Sequence, residues 1–274
     1  MIVSLADVFV GEGVDKVAEA SARFRLEPAM DRASFDAGWR ALDAEFGRNE
    51  EIEPRETLEA WFDAGSLSPS GAPIVAFYHM ILARDVDGAL AGVRDCFVTV
   101  DPIARRAVVL LSHAVVFPAW RRTGLAALLR AAPVGLARRA LGVDGEILLV
   151  AEMEAVEPHD RASVIRLLSY GRAGFSVVSP EALPYAQPDF GAAARLGGPV
   201  PLPFLPVVRL VGAEAASSLS RSQVQAIIDH LHAVHRCHCQ PQHLDPIRAW
   251  AQAGLDAWPG DAIPLLRPPP RAER

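Results

Sequence analysis

Apolar positions recur at helical spacing over residues 15–25, 34–46 and 55–64, which predicts three amphipathic helices within the first 66 residues. A stretch rich in Ser, Pro and Gly at 66–73 then reads as a loop. From there the pattern changes to apolar runs of strand length. Residues 74–84 and 89–100 are joined by Asp85-Val86-Asp87-Gly88, whose Asp-Gly pair suits a hairpin turn with positive φ, and a third run, 106–117, follows an Asp101-Pro102 turn. This predicts a three-stranded meander. Beyond Gly124 the spacing becomes helical again to about residue 141, with Pro133 expected to kink or end the helix at a cost of roughly 3 kcal/mol. A strand at 146–156, a helix at 161–172 and late strands at 175–178 and 206–211 come next, the last two separated by a Pro/Gly-rich excursion at 180–203. Helices are predicted at 220–235 and 247–257, and the triple proline in 267–274 predicts a disordered tail.

A chain of 274 residues with 51% hydrophobic composition can bury a substantial core, and the alternation of strands and helices makes it α/β. The net charge of −6 argues against coating nucleic acid or a membrane surface, since both require clustered Lys and Arg. No apolar stretch reaches the roughly 18 residues of a membrane span. Cys96, Cys237 and Cys239 are too few and too irregular for a disulfide framework, and the N-terminus lacks a basic segment leading into a cleavable apolar one. A cytoplasmic location is the expectation.

The run from Val115 to Ala126 turns an apolar strand through Pro118 and an Arg/Gly turn into a helix. Such a turn cradles anions. Gly124 lets the chain bend tightly and admits a phosphate to main-chain N–H groups, the first N–H groups of the helix lack intrahelical partners, and Arg121 and Arg122 add charge. The spacing Arg121, Gly124, Ala126 resembles the acyl-CoA-binding signature of the GCN5-related N-acetyltransferases. A second motif, Tyr170-Gly171-Arg172-Ala173-Gly174-Phe175, resembles the Tyr-x-x-x-Gly-Phe that closes a later block of that superfamily. The resemblance covers residues 74–211.

It implies a mixed, mostly antiparallel central sheet flanked by helices. Residues 67–212 form the acyltransferase core, 1–66 and 213–266 are helical additions, and 267–274 is a tail. It also implies transfer of an acetyl group from acetyl-CoA to a primary amine. Arg121, Arg122, Thr123, Gly124, Leu125 and Ala126 would hold the pyrophosphate, and the backbone of Ala114, Val115 and Val116 would hold the pantetheine and polarise the thioester. Tyr170 would protonate the departing thiolate. Where the family often has asparagine, seven residues before that tyrosine, this chain has Ser163; its unbroken helix here contains Pro133.

An amine with a pKa near 10.4 must lose a proton before it attacks. Glu152 and Glu154, two apart on a strand, share a face, so mutual repulsion would raise the pKa of one toward that of a general base. His113 is a second candidate and Asp95 a third. Residues 229–243 hold five of the eight histidines and two of the three cysteines, but the single residue between Cys237 and Cys239 does not match zinc-knuckle spacing, so the segment reads as a polar helix end with no metal assigned. Two alternatives stay open, a non-catalytic acyl-CoA-binding protein and a metal-binding interaction protein centred on that segment, and the oligomeric state is open to a homodimer. The acceptor is an amine on a small molecule or a peptide.

Overall fold

The long apolar runs pair with one another. In the computed structural model, which describes residues 3–49, 51–68, 73–142, 145–154, 161–189 and 200–268, the chain forms two compact units, Met1–Ile147 and Leu148–Arg274. The divide falls inside the segment expected as a single core.

In the first unit β1 (Phe24–Pro28), β2 (Val75–Asp85), β3 (Leu90–Asp101) and β4 (Arg106–Leu110) lie side by side in that order, and the short β5 (Ala114–Val116) also pairs with β3. These pairings are all antiparallel. The predicted helices appear as α1 (Val14–Arg23), α2 (Arg32–Phe46) and α3 (Arg55–Ala64), and α4 (Leu125–Leu141) follows β5. The α2 helix starts earlier than expected because the Asp31 carboxylate accepts the Ser34 N–H at 2.8 Å in a capping box. The α4 helix runs straight through Pro133, correcting the expected break. Pro133 and its neighbours Ala131, Ala132 and Val134 are buried, so packing offsets the one missing hydrogen bond.

The predicted strand 106–117 is in fact two. Phe97 faces Leu110 while Arg94 faces Ala114, so three residues of one strand, Leu111 to His113, oppose Asp95 and Cys96 of the other. That is a β-bulge of one residue, and it ends β4 and re-aims the chain as β5.

In the second unit β6 (Glu146–Glu154, entering at Leu148), β9 (Val200–Leu210), β7 (Ser176–Val178), β11 (Ala262–Leu266) and β10 (Ser218–Ser220) are neighbours in that order, with β8 (Tyr185–Asp189) on β9. Again the pairings are antiparallel. Helices α5 (Arg161–Arg172), α6 (Arg221–His235) and α7 (Pro241–Ala257) complete it. The C-terminal segment is more than helical, because β11 adds to the sheet through Leu265 opposite Val178. Both units are thus mixed α/β with antiparallel sheet. Among the described residues, no helix is long and apolar enough to cross a membrane. The expected tail lies almost wholly outside the described residues.

Candidate active site

Strand β5 pairs with β3 alone among the described residues of its unit. The His113 carbonyl accepts from Asp95 N–H and Phe117 N–H donates to the Ala91 carbonyl, so alternation turns the backbone groups of Ala114 and Val116 to the opposite edge. There the Val116 carbonyl accepts from Arg121 Nε at 3.2 Å. Val115 is buried and holds the strand in the core.

From this edge the chain enters a single turn of 3-10 helix, Pro118–Trp120, and a loop closed by Thr123 Oγ1 donating to the Trp120 carbonyl at 2.6 Å. Arg122 has φ 65 and Gly124 has φ 91. The main-chain N–H groups of Arg122, Thr123, Gly124, Leu125 and Ala126 find no acceptor among the described residues. They gather at the positive end of α4. Arg121, Arg122 and Arg23 are exposed around them, and Arg23 stacks over the Trp120 ring at 5.6 Å. Gly124 has the positive φ that the expected tight bend requires, and its missing side chain has a further role. A Cβ there would lie 2.8 Å from the Lys16 carbonyl oxygen and 3.1 Å from Ala20 Cβ, so the missing side chain seats the loop on α1.

The bulge is held by Asp95. Its carboxylate accepts the His113 N–H at 2.7 Å, lies 3.2 Å from His113 Nδ1 and accepts the Tyr78 hydroxyl at 3.2 Å. His113 Nε2 is 2.8 Å from the Glu51 carbonyl. Both ring nitrogens face oxygen acceptors, so both carry protons. Burial alone would lower the His113 pKa, but the charge and hydrogen bond of Asp95, with Glu53 and the Glu51 backbone, raise it to about 9. At neutral pH His113 is an imidazolium without a lone pair to offer. Its geometry is that of a brace and not of the expected base.

In the second unit, Glu152 and Glu154 do not act on each other as expected. Glu154 pairs with Arg166 at 3.4 Å in solvent, whereas Glu152 turns inward, accepts the Tyr185 hydroxyl and lies 3.0 Å from His235 Nε2. Burial first, and then Glu152, raise the Tyr185 pKa well above that of an ordinary phenol, so Tyr185 stays a donor. Tyr185 and His235 had no signal as partners of Glu152 in the sequence. His235 lies in the segment read as a polar helix end, yet it is buried. Burial also lowers its neighbours, with further help from Arg248 and Arg236 at His232: His232 falls to about 4 and His238 to about 3. Among the described residues no three His, Cys, Asp or Glu side chains converge so as to hold a metal ion.

Tyr170 packs edge-on against Phe175 at 4.9 Å, and its carbonyl accepts the Phe175 N–H at 3.1 Å across the Gly174 turn. Its hydroxyl has no hydrogen-bond partner among the described residues. Ser163 is buried in the first turn of α5.

No protein-family model and no curated protein matches the chain. Among solved structures it is similar to a GCN5-related glucosamine N-acetyltransferase region of a fungal multi-domain β-N-acetylglucosaminidase, at 15% identity and a TM-score of 0.41 over 63% of this chain and 20% of that one. The spermidine N-acetyltransferase of Vibrio cholerae, solved with CoA and spermine, matches at 13% identity and a TM-score of 0.41 over 71% of this chain and 99% of that one. An acetyltransferase of the GNAT family from Staphylococcus aureus matches at 10% identity and a TM-score of 0.41 over 69% and 99%. The chain spans only a fifth of the first of these. Such scores are too low for activity or membership to follow from them, and the weight rests on this chain's own residues.

Proposed function

We propose that this protein is an acyl-CoA-dependent N-acyltransferase of the GCN5-related type, moving an acetyl group to a primary amine. The observation that carries the reading is the continuity of β5 with the loop behind it. A strand edge that no other strand covers among the described residues of its unit, with its Val116 carbonyl held by Arg121, leads directly to five main-chain N–H groups without an acceptor among those residues and to two exposed arginines at a helix N-terminus. That edge suits an amide-rich pantetheine arm, and the loop suits a pyrophosphate. Arg122 strengthens the case, because a non-glycine residue at φ 65 stores strain that is common at ligand clamps.

In the proposed reaction the amine nitrogen bonds to the thioester carbonyl carbon, the carbon–sulfur bond breaks, and the nitrogen loses a proton. The Ala114 and Val116 edge would polarise the carbonyl oxygen. Within the second unit, Glu152, whose carboxylate is oriented by Tyr185 and His235, is the candidate base, and the Tyr170 hydroxyl is the candidate acid that the resemblance assigns. The products are an amide and free CoA.

Acetyl-CoA at 100 times its dissociation constant is expected to add about 2.7 kcal/mol to stability, read as a rise of several degrees in melting temperature. Arg122→Gly relieves the positive φ, so the unliganded variant should melt no lower than wild type while binding acetyl-CoA about tenfold more weakly. A variant that binds as tightly as wild type puts the phosphates elsewhere. Tyr170→Phe should lower turnover at least tenfold with acetyl-CoA affinity unchanged. Unaltered turnover removes Tyr170 from the acid role.

One observation favours a second reading, an acyl-CoA-binding protein without turnover: His113 is held protonated, and the Glu152 carboxylate is already engaged. Tight acetyl-CoA binding with no amide product from any amine in a broad panel would select it.

A further inference from the structure

Two arginines are fully buried among the described residues, and they differ in kind. Arg209, at 2% exposure, places Nε and Nη2 at 2.9 and 2.7 Å from one Glu214 oxygen. Arg94, at 3% exposure in the middle of β3, has no counter-charge. Its Nε and Nη1 are buried without a hydrogen-bond partner. Its Nη2 has no bond either and is not among the fully buried atoms, so the guanidinium reaches accessible surface through that nitrogen.

The surroundings explain the isolation. Side chains alternate along a strand, so the neighbouring Asp95 carboxylate points to the opposite face, toward Tyr78 and His113. The face that Arg94 shares is marked by Gly92, where a Cβ would meet Leu125 and Leu129 of α4, and by the buried thiol of Cys96. Across the ladders its partners are Ile81 and Ala114. These neighbours are apolar or neutral, and among the described residues no carboxylate pairs with the charge. An unpaired buried cation of this kind is costly, and orphaned charges cluster where a ligand supplies the partner.

Position limits what that ligand is. Arg94 is directly opposite Ala114, the residue whose outer backbone edge is proposed to hold the thioester, and adjacent strands are about 4.8 Å apart. The phosphates belong at the loop beyond Val116, past the end of this strand. We propose that Arg94 receives a carboxylate carried by one of the two substrates. The preferred donor is then a dicarboxylic monothioester such as succinyl-CoA, or the preferred acceptor is an amine bearing a carboxylate, as an amino acid does. These two sources rest on the acyl-CoA reading; the carboxylate itself does not.

The test is calorimetric titration of wild type and Arg94→Met with acetyl-CoA and succinyl-CoA, and thermal unfolding with succinate and with amino acids against their decarboxylated amines. Replacing an unpaired buried charge with an apolar side chain of similar length is compatible with folding, so Arg94→Met should melt at or above the wild-type temperature. In wild type one carboxylate-bearing member is expected to bind about tenfold more tightly than its neutral counterpart, and in Arg94→Met that ratio should fall to about one. Preference for succinyl-CoA assigns the carboxylate to the donor, and preference for the amino acid assigns it to the acceptor. If acetyl-CoA binds and wild type prefers neither, the proposal is overturned while the acyl-CoA reading stands. If no CoA ester binds but a free carboxylate stabilises wild type and not Arg94→Met, the proposal stands and the acyl-CoA reading falls. Loss of the ratio in Arg94→Gln as well excludes a packing effect peculiar to methionine.

Discussion

Asp95→Asn is expected to destabilise the protein by about 3–5 kcal/mol at pH 6, a fall in melting temperature on the order of 10 °C. The substitution keeps the shape and removes the charge, leaving the His113 imidazolium buried without its partner. The loss is expected to depend on pH, and its sign follows from His113. Its pKa is 6.5 in the unfolded chain and about 9 in the fold, so the stabilisation is complete below pH 6.5, declines as pH rises, and is gone above pH 9. At about 1.4 kcal/mol for each pH unit between those values, it amounts to on the order of 3 kcal/mol. Wild type should therefore lose about that much between pH 6 and pH 10 relative to Asp95→Asn, so the two converge in alkali. Denaturant titrations at both pH values measure it. A constant difference would mean that the Asp95 to His113 contact is an ordinary neutral hydrogen bond.

That bulge was invisible in the amino-acid pattern for a physical reason. An extra residue shifts the phase of alternation by one, but β4 is buried on both faces and residues 107–111 are all apolar, so there is no alternation whose phase could be seen to shift before Ser112 and His113. Strand β1 was absorbed into the preceding helix because Phe24 and Leu26 fit either period and no Gly or Pro separates them. The short β10 and the five-residue β8 and β11 lack the length to declare themselves. By contrast, α3 and α5 begin and end where the spacing puts them.

The site divides along the same line. The turn at Arg121 to Ala126 was legible because its chemistry is local: a glycine, two arginines and a helix start within six residues. Glu152 was legible as a carboxylate on a strand, but its partners were not, since Tyr185 and His235 lie 33 and 83 residues away. Arg94 and Asp95 stand side by side in an apolar run and look like an ion pair on paper. Strand alternation sends them to opposite faces, so one becomes the brace of the bulge and the other is left without a counter-ion.

Gly124→Ala should cost about 2–5 kcal/mol, more than its backbone angle alone demands. A non-glycine residue in the left-handed region pays about 1–2 kcal/mol, and that is all Gly88→Ala should pay, because Gly88 has φ +85 with nothing within 4 Å of its Cβ position. At Gly124 the new methyl also meets the Lys16 carbonyl oxygen at 2.8 Å, and overpacking adds about 1–3 kcal/mol. The obstacle is backbone, so no rotamer change relieves it and α1 itself must move. That helix ends in Arg23, which stacks on Trp120, and in Phe24, whose ring meets Trp120 edge-on at 5.4 Å. Displacing α1 therefore disturbs both sides of the loop at once, and acetyl-CoA affinity should fall with stability, unlike in Arg122→Gly. Denaturant unfolding of Gly124→Ala beside Gly88→Ala decides the point: equal costs would mean that α1 yields freely and that the N-terminal helices are not what seats the loop.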